Sequence, residues 1–106
     1  MKSYGLTICL RNDPEKIKQY VEYHAAVWPE VLKGIQAVGI EQMQIFLRGT
    51  RMFMYIQTSD DFDPERDWPR AGNASEESRE WNRIMGDLQE RAPEANEDEW
   101  WAFMDE

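Results

Sequence analysis

The sequence predicts an α+β fold: one antiparallel sheet with its helices packed on a single face. Three patterns predict it. Tyr4, Leu6, Ile8 and Leu10 alternate with Gly5, Thr7 and Cys9, as in a half-buried strand. The non-polar positions Ile17, Tyr20, Val21, Val27, Trp28, Val31, Leu32, Ile35 and Val38 recur at the spacing of an amphipathic helix. Arg48-Gly49-Thr50 separates two further strand-like runs, as a hairpin turn does.

The elements follow in order. After the first strand, Asn12-Asp13-Pro14-Glu15 reads as a helix start, with a capping aspartate, proline at the first helical position and an acid in the first turn. The helix extends to about Val38 and stops at Gly39. Pro29 removes a backbone donor within it, which predicts a kink or break at Trp28-Pro29 between two nearly collinear segments. Strands over Ile40–Leu47 and Arg51–Gln57 come next. The acidic, proline-punctuated stretch Thr58–Gly72 holds at most a short helical turn around Phe62–Trp68.

Asn73-Ala74-Ser75-Glu76 resembles a capping box and opens a second long helix with Trp81, Ile84, Met85 and Leu88 on one face. Glu94–Glu99 is a solvated charge run, and Trp100–Met104 reads as the final strand. The order β-α-β-β-α-β is the ferredoxin-like arrangement. Residues 1–106 form one domain by size. Phe53 and Tyr55 put apolar surface on the sheet face that the helices leave open, which predicts a homodimer.

Composition narrows the function. Residues 1–56 carry a net charge of +2 and residues 57–106 a net charge of -11. The acidic half disfavours nucleic acid and anionic lipid as partners, since both need clustered positive charge. No apolar run is long enough to span a membrane, and the opening residues show no signal-peptide core. Cys9 is the lone cysteine, so the expected compartment is the cytoplasm.

His24 is the single histidine, and it falls within the apolar stripe, four residues after Tyr20 and four before Trp28. Imidazole is the side chain that exchanges protons near neutral pH. Two readings fit: a core histidine bonded to a carbonyl or a tyrosine, or a proton carrier in a pocket. Tyr20 and Tyr23 offer polar handles and Trp28 an apolar plate, the combination that holds a small polar ring. No second histidine accompanies it, and Glu22 projects away, so neither a metal nor another cofactor is expected. There is no nucleophile-elbow or phosphate-loop glycine pattern. Arg48 and Arg51 flank the hairpin as a solvated turn or as donors at a rim.

The segment Tyr20-Val21-Glu22-Tyr23-His24-Ala25-Ala26-Val27-Trp28-Pro29-Glu30 resembles the Tyr-x-x-x-His-x-x-x-Trp-Pro-Glu signature of the L-rhamnose mutarotase family. The resemblance continues through Ala37–Ile40, Ile45–Leu47, Arg51–Met54 and the second helix as far as Trp81. It implies a dimeric ferredoxin-like enzyme that interconverts the anomers of a 6-deoxy-L-hexose without a metal. By the same resemblance His24 is the general acid, and Tyr20 and Trp81 contact the sugar. Trp28 is a further apolar wall. Met43 stands where rhamnose-type members have a substrate-binding tyrosine, and Glu80-Trp81 where they have two tryptophans. Met43 together with Leu47–Arg51 is closer to the relatives associated with L-fucose, and Glu80 is a candidate second proton carrier. Two other classes fit the same framework: a cofactor-free monooxygenase acting on a flat aromatic, and a non-catalytic dimer that binds a small ligand.

Overall fold

The computed structural model describes all residues, 1–106. The chain runs β1 (Lys2–Leu10), α1 (Pro14–Ala25), α2 (Pro29–Ala37), β2 (Ile40–Arg48), β3 (Arg51–Thr58), α3 (Pro64–Gly72), α4 (Glu76–Leu88), β4 (Gln89–Glu90) and β5 (Ala102–Met104). The strands form one sheet in the order β2-β3-β1-β4, with β5 also paired to β1, and every pairing is antiparallel.

Alternation along the strands decides the two faces. Leu6, Ile8 and Leu10 of β1 share a face with Met52, Met54 and Ile56 of β3, and all six are buried. Leu6, Ile8, Met52 and Ile56 are fully excluded from water, each contributing about 1.5–3 kcal/mol from burial. The helices cover this face. The core has two lobes. One joins Ile8, Leu10 and Met52 to Tyr20, Val31, Trp81, Met85 and Leu88; the other joins Leu6, Met54 and Ile56 to Val38, Ile40, Phe62 and Ala71.

The first helical run breaks at Trp28-Pro29, as the proline predicts, into α1 and α2, with Trp28 in extended conformation. A residue before proline is pushed out of helical space, and Pro29 then serves as the first residue of a new helix. Other elements depart from the sequence expectation. The stretch read as a short turn holds a nine-residue helix, α3. Its Asp63 cap accepts from the Glu65 N–H at 3.1 Å, and buried Asp67 accepts from the Asp63 N–H and from Arg66 and Arg70. The Arg66 hydrogen bond, above all, holds the Asp67 carboxyl well below the usual carboxylate range. The α4 cap is Ser75, which accepts from the Ser78 N–H at 3.0 Å; Asn73 is outside the capping pair. The final strand is shorter than expected, covering Ala102–Met104, and Trp100 and Trp101 precede it. A two-residue strand, β4, pairs Gln89 with Leu10 and Glu90 with Cys9 at the end of α4.

Gly34 lets α2 approach its neighbours: a Cβ there would sit 2.9 Å from the Ala74 Cβ and 3.2 Å from the Ala71 carbonyl oxygen. Gly39, at a φ of 94°, turns the chain from α2 into β2. No helix is long and apolar enough to cross a membrane.

Candidate active site

Between the helices and the sheet lies a cleft of about 670 Å³, within the usual range for small-molecule sites. Tyr20 and His24 reach it from α1, Met43 from β2, Trp81 from α4 and Gln89 from β4. Amides line it as well, Gln36, Gln42, Asn73 and Asn82 among them. No lysine or arginine lines it, and Glu41 is its one carboxylate residue. A β-bulge between Ile40 and Gln42 leaves Glu41 without a strand partner and turns it to the rim. Such a lining suits an uncharged polar ligand; an anionic one would meet no cation.

His24 is held in one state. Its Nδ1 lies 2.9 Å from the Tyr20 backbone oxygen, one helical turn earlier. A carbonyl only accepts, so Nδ1 carries the proton, and in the neutral ring Nε2 keeps the lone pair. Burial pushes the His24 pKa below its ordinary 6.5, against a smaller opposing effect of the carbonyl. The imidazole is therefore neutral at pH 7, with Nε2 free to accept a proton.

Aromatic rings fix the plane of the imidazole. The Tyr20 ring stacks on it at 4.1 Å between centroids, and Trp81 meets it edge-on at 5.3 Å. Trp81 also takes the edges of Tyr23 at 5.7 Å and Trp28 at 5.3 Å. It is the hub of the cluster and is almost fully buried. Tyr20 is buried too, and its hydroxyl pKa is pushed up to about 12 by that burial, against a smaller opposing effect of the Gln89 side chain. It stays protonated at any working pH and can donate a hydrogen bond.

The structure thus gathers His24, Tyr20, Met43 and Trp81 around one cleft and leaves Trp28 and Glu80 outside its lining. Trp28 packs behind Trp81. Glu80 is on the solvent side of α4, paired with Arg83, whose hydrogen bond lowers the Glu80 pKa. Neighbouring helical residues differ by about 100° in direction, so Glu80 turns outward where Trp81 turns inward. Trp68, Trp100 and Trp101 complete the apolar walls. Gln89 has no motif to mark it, and only the pairing of β4 with β1 reveals its place. No three His, Cys, Asp or Glu side chains converge as a metal-binding group.

The family model for L-rhamnose mutarotase matches residues 3–106. A UPF0734 protein of Dictyostelium discoideum is 39% identical over 107 residues, covering 98% of this chain and 86% of that protein. An L-fucose mutarotase of Xanthomonas campestris pv. campestris is 33% identical over 95 residues, covering 87% and 74% respectively. The crystal structure of an L-rhamnose mutarotase from Formosa agariphila superposes with a TM-score of 0.65 at 18% identity, covering 98% of this chain and 91% of that one. The tetracenomycin F2 cyclase of Streptomyces glaucescens shares the fold, with a TM-score of 0.62 at 13% identity over 99% of this chain and 92% of that one. With the family match spanning nearly the whole length, the chain belongs to the L-rhamnose mutarotase family, whose members are carbohydrate isomerases.

Proposed function

We propose that this protein interconverts the α and β anomers of a 6-deoxy-L-hexose, with L-fucose preferred over L-rhamnose. The observation that carries the reading is a neutral imidazole, anchored at Nδ1, in an aromatic cleft without cationic residues. The L-fucose preference rests on Met43 in the cleft lining and on the similarity to the Xanthomonas L-fucose mutarotase.

The mechanism needs one proton to move between two oxygens on the same carbon. His24 Nε2 takes the proton of the anomeric hydroxyl while the C1–O5 bond breaks with its electron pair going to O5. The imidazolium then gives that proton to O5, leaving an open-chain aldehyde. Rotation about C1–C2 presents the other carbonyl face, and the steps reverse. Tyr20 donates a hydrogen bond to O5 as charge develops there, without ionising. His24 therefore begins as the base and becomes the acid, whereas the family resemblance named it simply as the acid. General acid–base catalysis of this kind contributes about 10²- to 10⁴-fold.

The acid limb of the pH profile tests the protonation state. A protonated Nε2 cannot accept, so kcat/KM is level above pH 6.5 and falls as pH drops through the lowered His24 pKa. The same depressed value contributes folding stability that is full above the unfolded pKa and is lost as pH falls through the folded one. A rate that rises on acidification below pH 6 would contradict the base role.

We read the strand order β2-β3-β1-β4 as ferredoxin-like and propose that the open face of the sheet joins two copies. Phe46 is 54%, Phe53 39% and Met104 51% exposed, and the Phe46 and Phe53 rings stack at 6.1 Å on that face. Sedimentation should give twice the 12.6 kDa chain mass, with Phe46→Glu shifting it toward the monomer. A wild-type chain sedimenting at the monomer mass would refute the dimer.

A further inference from the structure

Gln89 stands where α4 ends and the sheet resumes. Its backbone N–H caps α4 on the Met85 carbonyl, and it pairs with Leu10 across the sheet. These contacts pin a residue that is only 3% exposed, yet its side chain borders the cleft. The Trp100 indole Nε1–H donates to Gln89 Oε1 at 2.7 Å. An indole N–H only donates, so it fixes which end of the amide is oxygen. The amide nitrogen makes no hydrogen bond within the protein. No fully buried side-chain nitrogen or oxygen is left without a partner. The Gln89 nitrogen is therefore accessible, and the cleft is the space its residue lines.

We propose that Gln89, its amide turned by Trp100, is a sugar-binding residue that donates from Nε2 to a ring hydroxyl of the substrate. The other amides of the cleft, Gln36, Gln42, Asn73 and Asn82, are exposed, so water competes for their hydrogen bonds. Gln89 alone among them is buried. A ligand that fills the cleft strips water from its nitrogen, and must bring an acceptor there or leave a buried donor unmet. An amide NH2 has no lone pair to offer, so the partner is an oxygen that accepts. A site of this kind rejects an analogue lacking that oxygen more strongly than an apolar wall does. The inference rests on the mutarotase reading and deepens it. The anomeric hydroxyl faces His24 in that reading, so Gln89 reads one of the others.

Gln89→Met is the direct test, because it roughly keeps the volume and removes the donor. Anomer exchange of L-fucose, followed by NMR over a range of sugar concentrations, should show KM about tenfold higher, the equivalent of one hydrogen bond. The kcat should stay near the wild-type value. Analogues of L-fucose that each lack one ring hydroxyl then identify the partner. With the wild-type protein, one of them should fall about tenfold below L-fucose in kcat/KM. With Gln89→Met, that same analogue should match L-fucose, while the remaining analogues lose the same factor with both proteins. A merely structural role would weaken every sugar alike and single out no hydroxyl. An unchanged KM, or analogue ratios identical in variant and wild type, would overturn the proposal and leave the mutarotase reading standing.

If circular dichroism finds Gln89→Met unfolded, Trp100→Phe decides, since it keeps the apolar wall and removes only the N–H that turns the amide. A smaller penalty for one missing hydroxyl supports the proposal, and wild-type penalties for every analogue overturn it. Absence of exchange by the wild-type protein on every 6-deoxy-L-hexose would overturn the parent reading and this one with it.

Discussion

His24→Ala lowers protein-catalysed anomer exchange by about 10²- to 10⁴-fold, the usual contribution of a positioned acid–base group. The loss falls on kcat, because the rings and amides that hold the sugar remain. Tyr20, Met43 and Trp81 still line the cleft, and the Tyr20 hydroxyl still donates. The cost in stability is small. His24 is only partly buried, and its one side-chain hydrogen bond goes to a carbonyl of its own helix. Parallel measurements of exchange rate and thermal midpoint separate the two effects. A variant that keeps its rate would return His24 to the role of a core histidine.

Trp81→Ala has the largest expected effect on stability. Its ring contacts those of Tyr23, His24 and Trp28, and it lies within the first core lobe beside Met85 and Tyr20. Truncating a buried tryptophan to alanine costs about 3–5 kcal/mol, a large share of the roughly 5–15 kcal/mol that holds a domain together. Denaturant unfolding should show a strongly lowered midpoint. The folded fraction should also exchange anomers more slowly, because His24 loses the edge that fixes its plane. Trp81→Phe keeps part of the wall and should fall between the two. An alanine variant as stable as the wild type would contradict the hub assignment.

The parts of this architecture that the sequence discloses are those governed by local periodicity. Alternation alone places Leu6, Ile8 and Leu10 inward, and helical spacing puts Tyr20 and His24 side by side. The phase of α4 likewise turns Trp81 into the core. Trp28 shows where that logic stops. It keeps the four-residue spacing from His24, but α1 ends at Ala25, so the spacing no longer encodes a shared direction. Trp28 therefore backs Trp81 and is absent from the cleft lining. The α3 helix was hidden because Pro69 reads as a breaker, whereas buried Asp67, tied to Arg66 and Arg70, pins that segment in place. Gln89 was hidden for a different reason. Its position depends on a pairing with Leu10, far away in sequence, and on the return of Trp100. Contacts of that kind leave no periodic trace.

The most direct measurement is saturation transfer between the α and β anomeric proton signals of L-fucose and L-rhamnose, with and without the wild-type protein. Transfer should run well above the buffer rate, faster for L-fucose than for L-rhamnose, and decay below pH 6.5 as Nε2 of His24 takes up a proton. Transfer at the buffer rate for both sugars, with the protein folded at pH 7.5, would contradict it.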